Sequence, residues 1–195
     1  MFQIDKPFIN FKLPVYNPVT DSISEITNNT FKGKILVLFF YPADFTFVCP
    51  TELADMQARA QDFKKNGAEV VVVSTDTVYS HKGWVETEEL IIGFQFLMAS
   101  DRGGKLSREL GIYDEEGGMA GRGAFIIDGA GILRASDITA DQIGRSAGEI
   151  LRKVKAIKFV NIHKGQVCPA SWDEGSATLR PSIKISGRVK KNLGK

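Results

Sequence analysis

Seven consecutive apolar residues, Ile35-Leu36-Val37-Leu38-Phe39-Phe40-Tyr41, limit more than any other feature what this chain can fold into. A strand with one face in water alternates apolar and polar positions, whereas an unbroken apolar run needs cover on both faces. It is also far short of the ~20 residues that cross a bilayer. The run therefore predicts the central strand of a layered α/β domain, and Glu69-Val70-Val71-Val72-Val73-Ser74 predicts a second strand beside it. Between them Pro50 opens a helical pattern, with Leu53, Met56, Ala60 and Phe63 on one face, that stops near Gly67.

The flanking segments complete the layers. Val15 to Ile26 reads as a hairpin, Val78 to Leu90 as a helix, Phe96 to Met98 as a short strand and Lys105 to Leu110 as a brief helix. Asp128-Gly129-Ala130-Gly131 between two β-prone runs, Gly123 to Ile127 and Ile132 to Ala135, predicts a second hairpin. Thr139 to Phe159 reads as one long helix whose apolar face holds Ile143, Ala147, Ile150, Leu151, Val154 and Ile157. The order is that of an α/β sandwich with a mixed sheet, spanning residues 1–159. Residues 160–195 keep no period and read as an arm that packs on something else, a second subunit included.

Composition narrows the function. At 195 residues, with 43% hydrophobic and 25% charged, the chain is ordinary globular material that needs neither metal nor disulfide staples. A formal charge of +2 gives no reason to expect a nucleic-acid or membrane partner. The opening residues MFQIDKPFINF lack the pattern of a secretory signal, so a cytoplasmic protein is expected. His81, His163 and the two cysteines, Cys49 and Cys168, are not spaced as metal ligands. The cysteines are then inert packing residues or redox groups, and local context decides.

Cys49 falls between the buried strand and the helix opened by Pro50, in the first turn or at its cap. Unpaired backbone N–H groups and the helix dipole there favour the thiolate, which is the nucleophilic form. Thr46 can offer its hydroxyl to that anion or to its substrate, and Pro42 ends the strand and shields the loop from water. A core cysteine beside a capping threonine is the bland alternative.

The segment Tyr41-Pro42-Ala43-Asp44-Phe45-Thr46-Phe47-Val48-Cys49-Pro50-Thr51-Glu52 resembles the active-site segment of the typical two-cysteine peroxiredoxins, in particular their bacterial alkyl hydroperoxide reductase branch. Further matches are Ser74-Thr75-Asp76-Thr77, His81-Lys82-Gly83-Trp84, Arg122, Gly144-Arg145-Ser146 and Val167-Cys168-Pro169-Ala170 with Trp172. The resemblance implies a thioredoxin-like fold with an N-terminal hairpin extension and a C-terminal arm. It implies reduction of hydrogen peroxide and organic hydroperoxides by thiol chemistry, without metal, haem or flavin. Cys49 would become a sulfenic acid, with Thr46 holding the peroxide, Pro42 excluding water and Arg122 beside the sulfur. Glu52 and Arg145 would orient Arg122. Cys168 would resolve the sulfenic acid as a disulfide between subunits of a homodimer. Phe47, Thr77 and Trp84 match positions near a dimer–dimer contact, which implies a ring of five dimers. A flavoprotein disulfide reductase or a thioredoxin would supply electrons.

Two departures carry expectations. Gly117-Gly118-Met119-Ala120 only half matches the loop of the easily overoxidised branch, and no Tyr or Phe follows Phe159, so fast local unfolding and resistance of Cys49 to sulfinic acid are expected. Gly121 and Gly123, either side of Arg122, predict backbone freedom there. In the tail, Lys184, Arg188, Lys190, Lys191 and Lys195 read as a solvated terminus, with docking of an acidic reductase as the alternative.

Overall fold

The computed structural model of the chain describes residues 2–193. Its N-terminal hairpin is β1 (Lys12–Asn17) and β2 (Ser22–Thr27). There follow β3 (Ile35–Phe40), α1 (Cys49–Ala58), α2 (Ala60–Lys65), β4 (Ala68–Ser74), α3 (Val78–Thr87), β5 (Leu97–Ser100) and α4 (Lys105–Glu109). A small hairpin, β6 (Tyr113–Asp114) with β7 (Met119–Ala120), precedes β8 (Arg122–Ile127) and β9 (Leu133–Thr139). The long helix α5 (Ala147–Ile162) and the short α6 (Val189–Asn192) end the chain.

The seven-stranded sheet has the order β2-β1-β5-β4-β3-β8-β9. β4 runs parallel to β3 and β5, and the other pairs are antiparallel, so the sheet is mixed as expected. β3 lies inside the sheet and all six of its residues are buried. Its alternating side chains feed two cores. Val37 and Phe39 meet Leu53, Met56, Phe63, Trp84, Ile150 and Val154 from the helices on one face. Leu36, Leu38 and Phe40 meet Phe8, Phe11, Phe31, Leu106 and Phe125 on the other. Burying each large side chain contributes about 1.5–3 kcal/mol, which explains why no polar position interrupts this strand.

Two expected helices differ. The pattern from Pro50 to Gly67 is broken at Arg59 (φ −109°, ψ 12°), where its amide turns to the Met56 carbonyl (3.1 Å) and its guanidinium takes the Asp55 carbonyl (3.2 Å). The helix expected from Thr139 begins only at Ala147 and runs on to Ile162. β9 continues through Thr139, and Ile143, placed by its spacing on an apolar face, is 58% exposed. Long-range acceptors override the period here: Glu52 takes the amide of Arg145 (2.7 Å) and Asp55 takes that of Ala147 (2.8 Å), which fixes the helix start.

α5 runs opposite to β3. Just before its start, Arg145 donates to the Phe40 carbonyl (2.8 Å) at the end of β3. Near its finish, Lys158 reaches Asn66 (3.3 Å), beside Gly67, whose carbonyl receives the Ile35 amide at the start of β3 (3.1 Å). The arm folds back on α5 between Arg152 and Phe159. Trp172 is buried against Phe159 (ring centroids 5.0 Å apart), Arg152 donates to its carbonyl (3.0 Å) and Lys155 pairs with Asp173 (2.9 Å). The arm thus packs at least partly on its own chain. Among the described residues no helix is long and apolar enough to cross a membrane.

Candidate active site

Cys49 is the first residue of α1, with Pro50 in the opening turn, and its side chain has no exposed surface. No side chain caps this helix start; Pro50 has no amide to donate, and those of Thr51 and Glu52 turn to the Val48 carbonyl (3.1 and 3.2 Å). Arg122, the first residue of β8, aims Nη1 at the Cys49 sulfur from 3.5 Å. The same nitrogen donates to Glu52 (2.6 Å), while Nε donates to the Asp141 carbonyl (2.8 Å). Burial pulls the Arg122 guanidinium toward losing its proton, but its contacts with Cys49 and Glu52 outweigh that and hold it above its ordinary range. It is a fixed cation beside a buried sulfur.

Glu52 shares its carboxylate between two guanidiniums. Arg145 donates to it through Nε (2.9 Å) and Nη2 (3.2 Å), and its planar head lies 3.7 Å over the Phe39 ring. Burial pulls Arg145 below its ordinary range and Glu52 opposes that shift. Nη1 of Arg145 has no acceptor among the described residues. All three side chains are at least 96% buried, so the triad holds Arg122 through contacts that water does not weaken. The expected freedom around Arg122 is not found. β8 pairs with β3 and β9 on both sides, and a Cβ at Gly123 would come within 2.9 Å of Ile112 and 3.0 Å of Phe125. Gly123 serves close packing in an interior strand.

Thr46 lines the same pocket, an open hollow of about 360 Å³ shared with Pro42, Phe47, Val48, Cys49, Arg122, Asp141 and Gln142. Its hydroxyl donates to the Ala43 carbonyl (2.8 Å). That bond commits its proton, so toward the pocket Thr46 offers lone pairs, not the donor expected for a thiolate. Phe45 before it sits at φ 56°, the left-handed region, which costs a bulky residue about 1–3 kcal/mol and marks a constrained turn. Sequence reasoning passed over Asp141 and Gln142. Asp141 acts through its carbonyl, for which no side-chain type is a signal.

Cys168 is half-buried in the arm, four residues before Trp172. Burial pushes its thiol above the ordinary range, against the pull of the Arg152 charge. Both cysteines are free. The face above α3 is aromatic: Phe47 is 92%, Tyr79 73% and Phe45 62% exposed. Thr77 caps α3 by accepting the Ser80 amide (3.2 Å). Trp84 differs from its expected place at an interface, since it has no exposed surface and backs this face from the core, below Phe45. His81 is buried among Tyr41, Asp44 and the Ala99 carbonyl.

The sequence pattern of the AhpC/TSA family matches residues 4–136. This chain belongs to the AhpC/TSA family. It is similar to alkyl hydroperoxide reductase C of Staphylococcus epidermidis, 42% identical over 189 residues that cover 97% of this chain and all of that one. The protein of the same name from Amphibacillus xylanus is 46% identical over 165 residues, 85% of this chain and 88% of that one. The fold matches the reduced 2-Cys peroxiredoxin of Plasmodium vivax with TM-score 0.90 and 29% identity, covering 96% of this chain and 98% of that one. The chain is a peroxiredoxin with a thioredoxin-like fold, a thiol-dependent peroxidase.

Proposed function

We propose that this peroxidase works through Cys49 as the peroxidatic residue, Cys168 as the resolving residue and an external dithiol as the source of electrons. One observation carries the reading: a buried cysteine at a helix start lies 3.5 Å from a buried, thrice-held arginine, in a pocket open to small molecules. The Cys49 sulfur attacks one oxygen of the peroxide. An S–O bond forms, the O–O bond breaks, and the second oxygen leaves with a proton as alcohol or water. Arg122 stabilises charge moving onto the leaving oxygen, and the Thr46 lone pairs receive the peroxide hydrogen bond. Pro42 covers the sulfur from one side, while Glu52 and Arg145 keep Arg122 aimed.

The Cys168 sulfur then attacks the sulfenic acid, an S–S bond forms and water leaves. Intersubunit pairing follows the family resemblance: within one chain both cysteines are free, Cys49 sealed at the start of α1 and Cys168 half-buried in the arm held on α5 through Arg152 and Lys155. A homodimer, assembled through the exposed Phe47 and the Thr77 cap into a pentamer of dimers, a flavoprotein disulfide reductase or a thioredoxin as reductant, and a cytoplasmic setting complete the reading. The basic tail is exposed from Lys184 to Lys191 and suits an acidic reductase; Lys195 lies outside the described residues.

A non-reducing gel after one equivalent of hydrogen peroxide tests the pairing. The wild-type chain should run as a covalent dimer within seconds, and Cys168→Ser should remain monomeric. A wild type that stays monomeric, or a Cys168→Ser variant that dimerises, rejects it. Residues 160–195 hold no Tyr or Phe, so the arm they form carries no Tyr-Phe pair to hold α1 shut. Mass spectrometry after turnover at high peroxide should accordingly show Cys49 mainly as disulfide; early, dominant sulfinate counts against fast opening.

A further inference from the structure

The loop between β3 and α1 holds a buried polar cluster that the reaction as described does not use. Asp44 is 6% exposed, and its carboxylate accepts the Tyr41 hydroxyl (2.7 Å) and faces Nδ1 of His81 (2.9 and 3.1 Å). His81 lies on α3 with no exposed surface, and its Nε2 faces the Ala99 carbonyl of β5 (3.3 Å). Both ring nitrogens thus face oxygen acceptors. The Asp44 amide donates to Asp76 (2.9 Å), itself fixed by the Ser74 hydroxyl at the end of β4 (2.8 Å). Asp44 thereby ties the loop through its side chain to Tyr41, just past β3, and to α3, and through its amide to the end of β4, while His81 reaches on to β5. Burial, and then the Asp44 carboxylate, hold Tyr41 well above its ordinary range, so it stays a donor.

The position of this anchor gives it a chemical consequence. Asp44 immediately precedes Phe45, whose left-handed backbone is the sharp point of the turn. Thr46 follows, and its hydroxyl closes the turn on the Ala43 carbonyl (2.8 Å). Residues 43–46 thus form one rigid unit with Asp44 as its fixed end and the Thr46 lone pairs at its working end. Buried charged groups cost desolvation, and conformational specificity is one return for which they are kept.

We infer that Asp44, clamped by His81 and Tyr41, is a positioning residue that aims the Thr46 hydroxyl at the peroxide bound on Cys49. This rests on the reading of Cys49 and Thr46 given above. A loosened anchor leaves the sulfur in place and lets the acceptor for the peroxide hydrogen drift. Small displacements of a positioning group cost up to about 100-fold in rate.

The test compares two reagents on the reduced full-length chain. Hydroperoxide needs Thr46 in position, whereas iodoacetamide needs only an accessible, nucleophilic sulfur. In Asp44→Ala, oxidation of Cys49 by tert-butyl hydroperoxide, followed by stopped-flow tryptophan fluorescence, should slow by about 10- to 100-fold. Alkylation of Cys49 by iodoacetamide should stay within about twofold of wild type, and Asp44→Asn, which keeps the shape and the acceptor for Tyr41, should recover most of the peroxide rate. Equal loss with both reagents would mean a merely structural role, and an unchanged peroxide rate would mean no role; either overturns the inference. If Asp44→Ala does not fold, Tyr41→Phe carries the test, with about a two- to fivefold loss confined to peroxide expected. The underlying reading fails separately, through peroxide turnover that survives loss of Cys49.

Discussion

Cys49→Ser should reduce peroxide consumption by this peroxiredoxin by about 10⁴- to 10⁶-fold, the scale on which covalent catalysis is lost with its central groups. Serine is nearly isosteric in the buried site, so the melting temperature should hardly move. The loss would be chemical, because a neutral hydroxyl attacks a peroxide oxygen far more slowly than a thiolate does. Cys168→Ser supplies the internal contrast. It should consume one equivalent of peroxide per subunit and then stop, since Cys49 is oxidised but finds no second thiol. A peroxide-electrode trace distinguishes the two in one afternoon. Turnover by Cys49→Ser at even a tenth of the wild-type rate would remove Cys49 from the mechanism.

Glu52→Ala should have the largest effect on stability. The carboxylate is buried between Arg122 and Arg145, and removing it leaves two buried guanidiniums facing each other without a counter-charge. Breaking a buried pair in this way costs about 3–5 kcal/mol, more than the pair contributes net, because the remaining charges are stranded. For a domain of this size each kcal/mol lowers the melting temperature by about 2–4 °C, so a fall of about 6–20 °C is expected. Peroxide reactivity should fall with it, as Arg122 loses the contact that opposes its drift from the sulfur. Urea denaturation giving a loss below about 1 kcal/mol would show that the triad is relaxed or hydrated in solution.

Much of this was legible in the chain. β3 and β4 were visible because burial on both faces leaves a run with no polar positions. The β8–β9 hairpin was visible because Asp128 to Gly131 carries turn chemistry within four residues. Cys49 stood out through its place between strand and Pro50. The misreadings have one physical source. Ile143, Ala147 and Ile150 keep helical spacing, yet the helix starts only at Ala147, where Glu52 and Asp55, nearly a hundred positions earlier, claim the amides of Arg145 and Ala147. Asp44 and His81 are 37 positions apart, and neither is conspicuous locally. Trp84 was placed near an interface only by the family resemblance, which does not say that the ring lies inside its own subunit.

In the proposed cycle, the interruption at Arg59 bears on how the sealed Cys49 sulfur reaches its resolving thiol. Because α1 and α2 do not share one continuous ladder of backbone bonds, fraying that starts at Cys49 meets a fire-break after ten residues. Phe63 can stay seated in the core while the segment bearing Cys49 peels away. The sulfur can then be uncovered at the expense of α1, whose Leu53 and Met56 leave the core with it, while α2 keeps its own contacts.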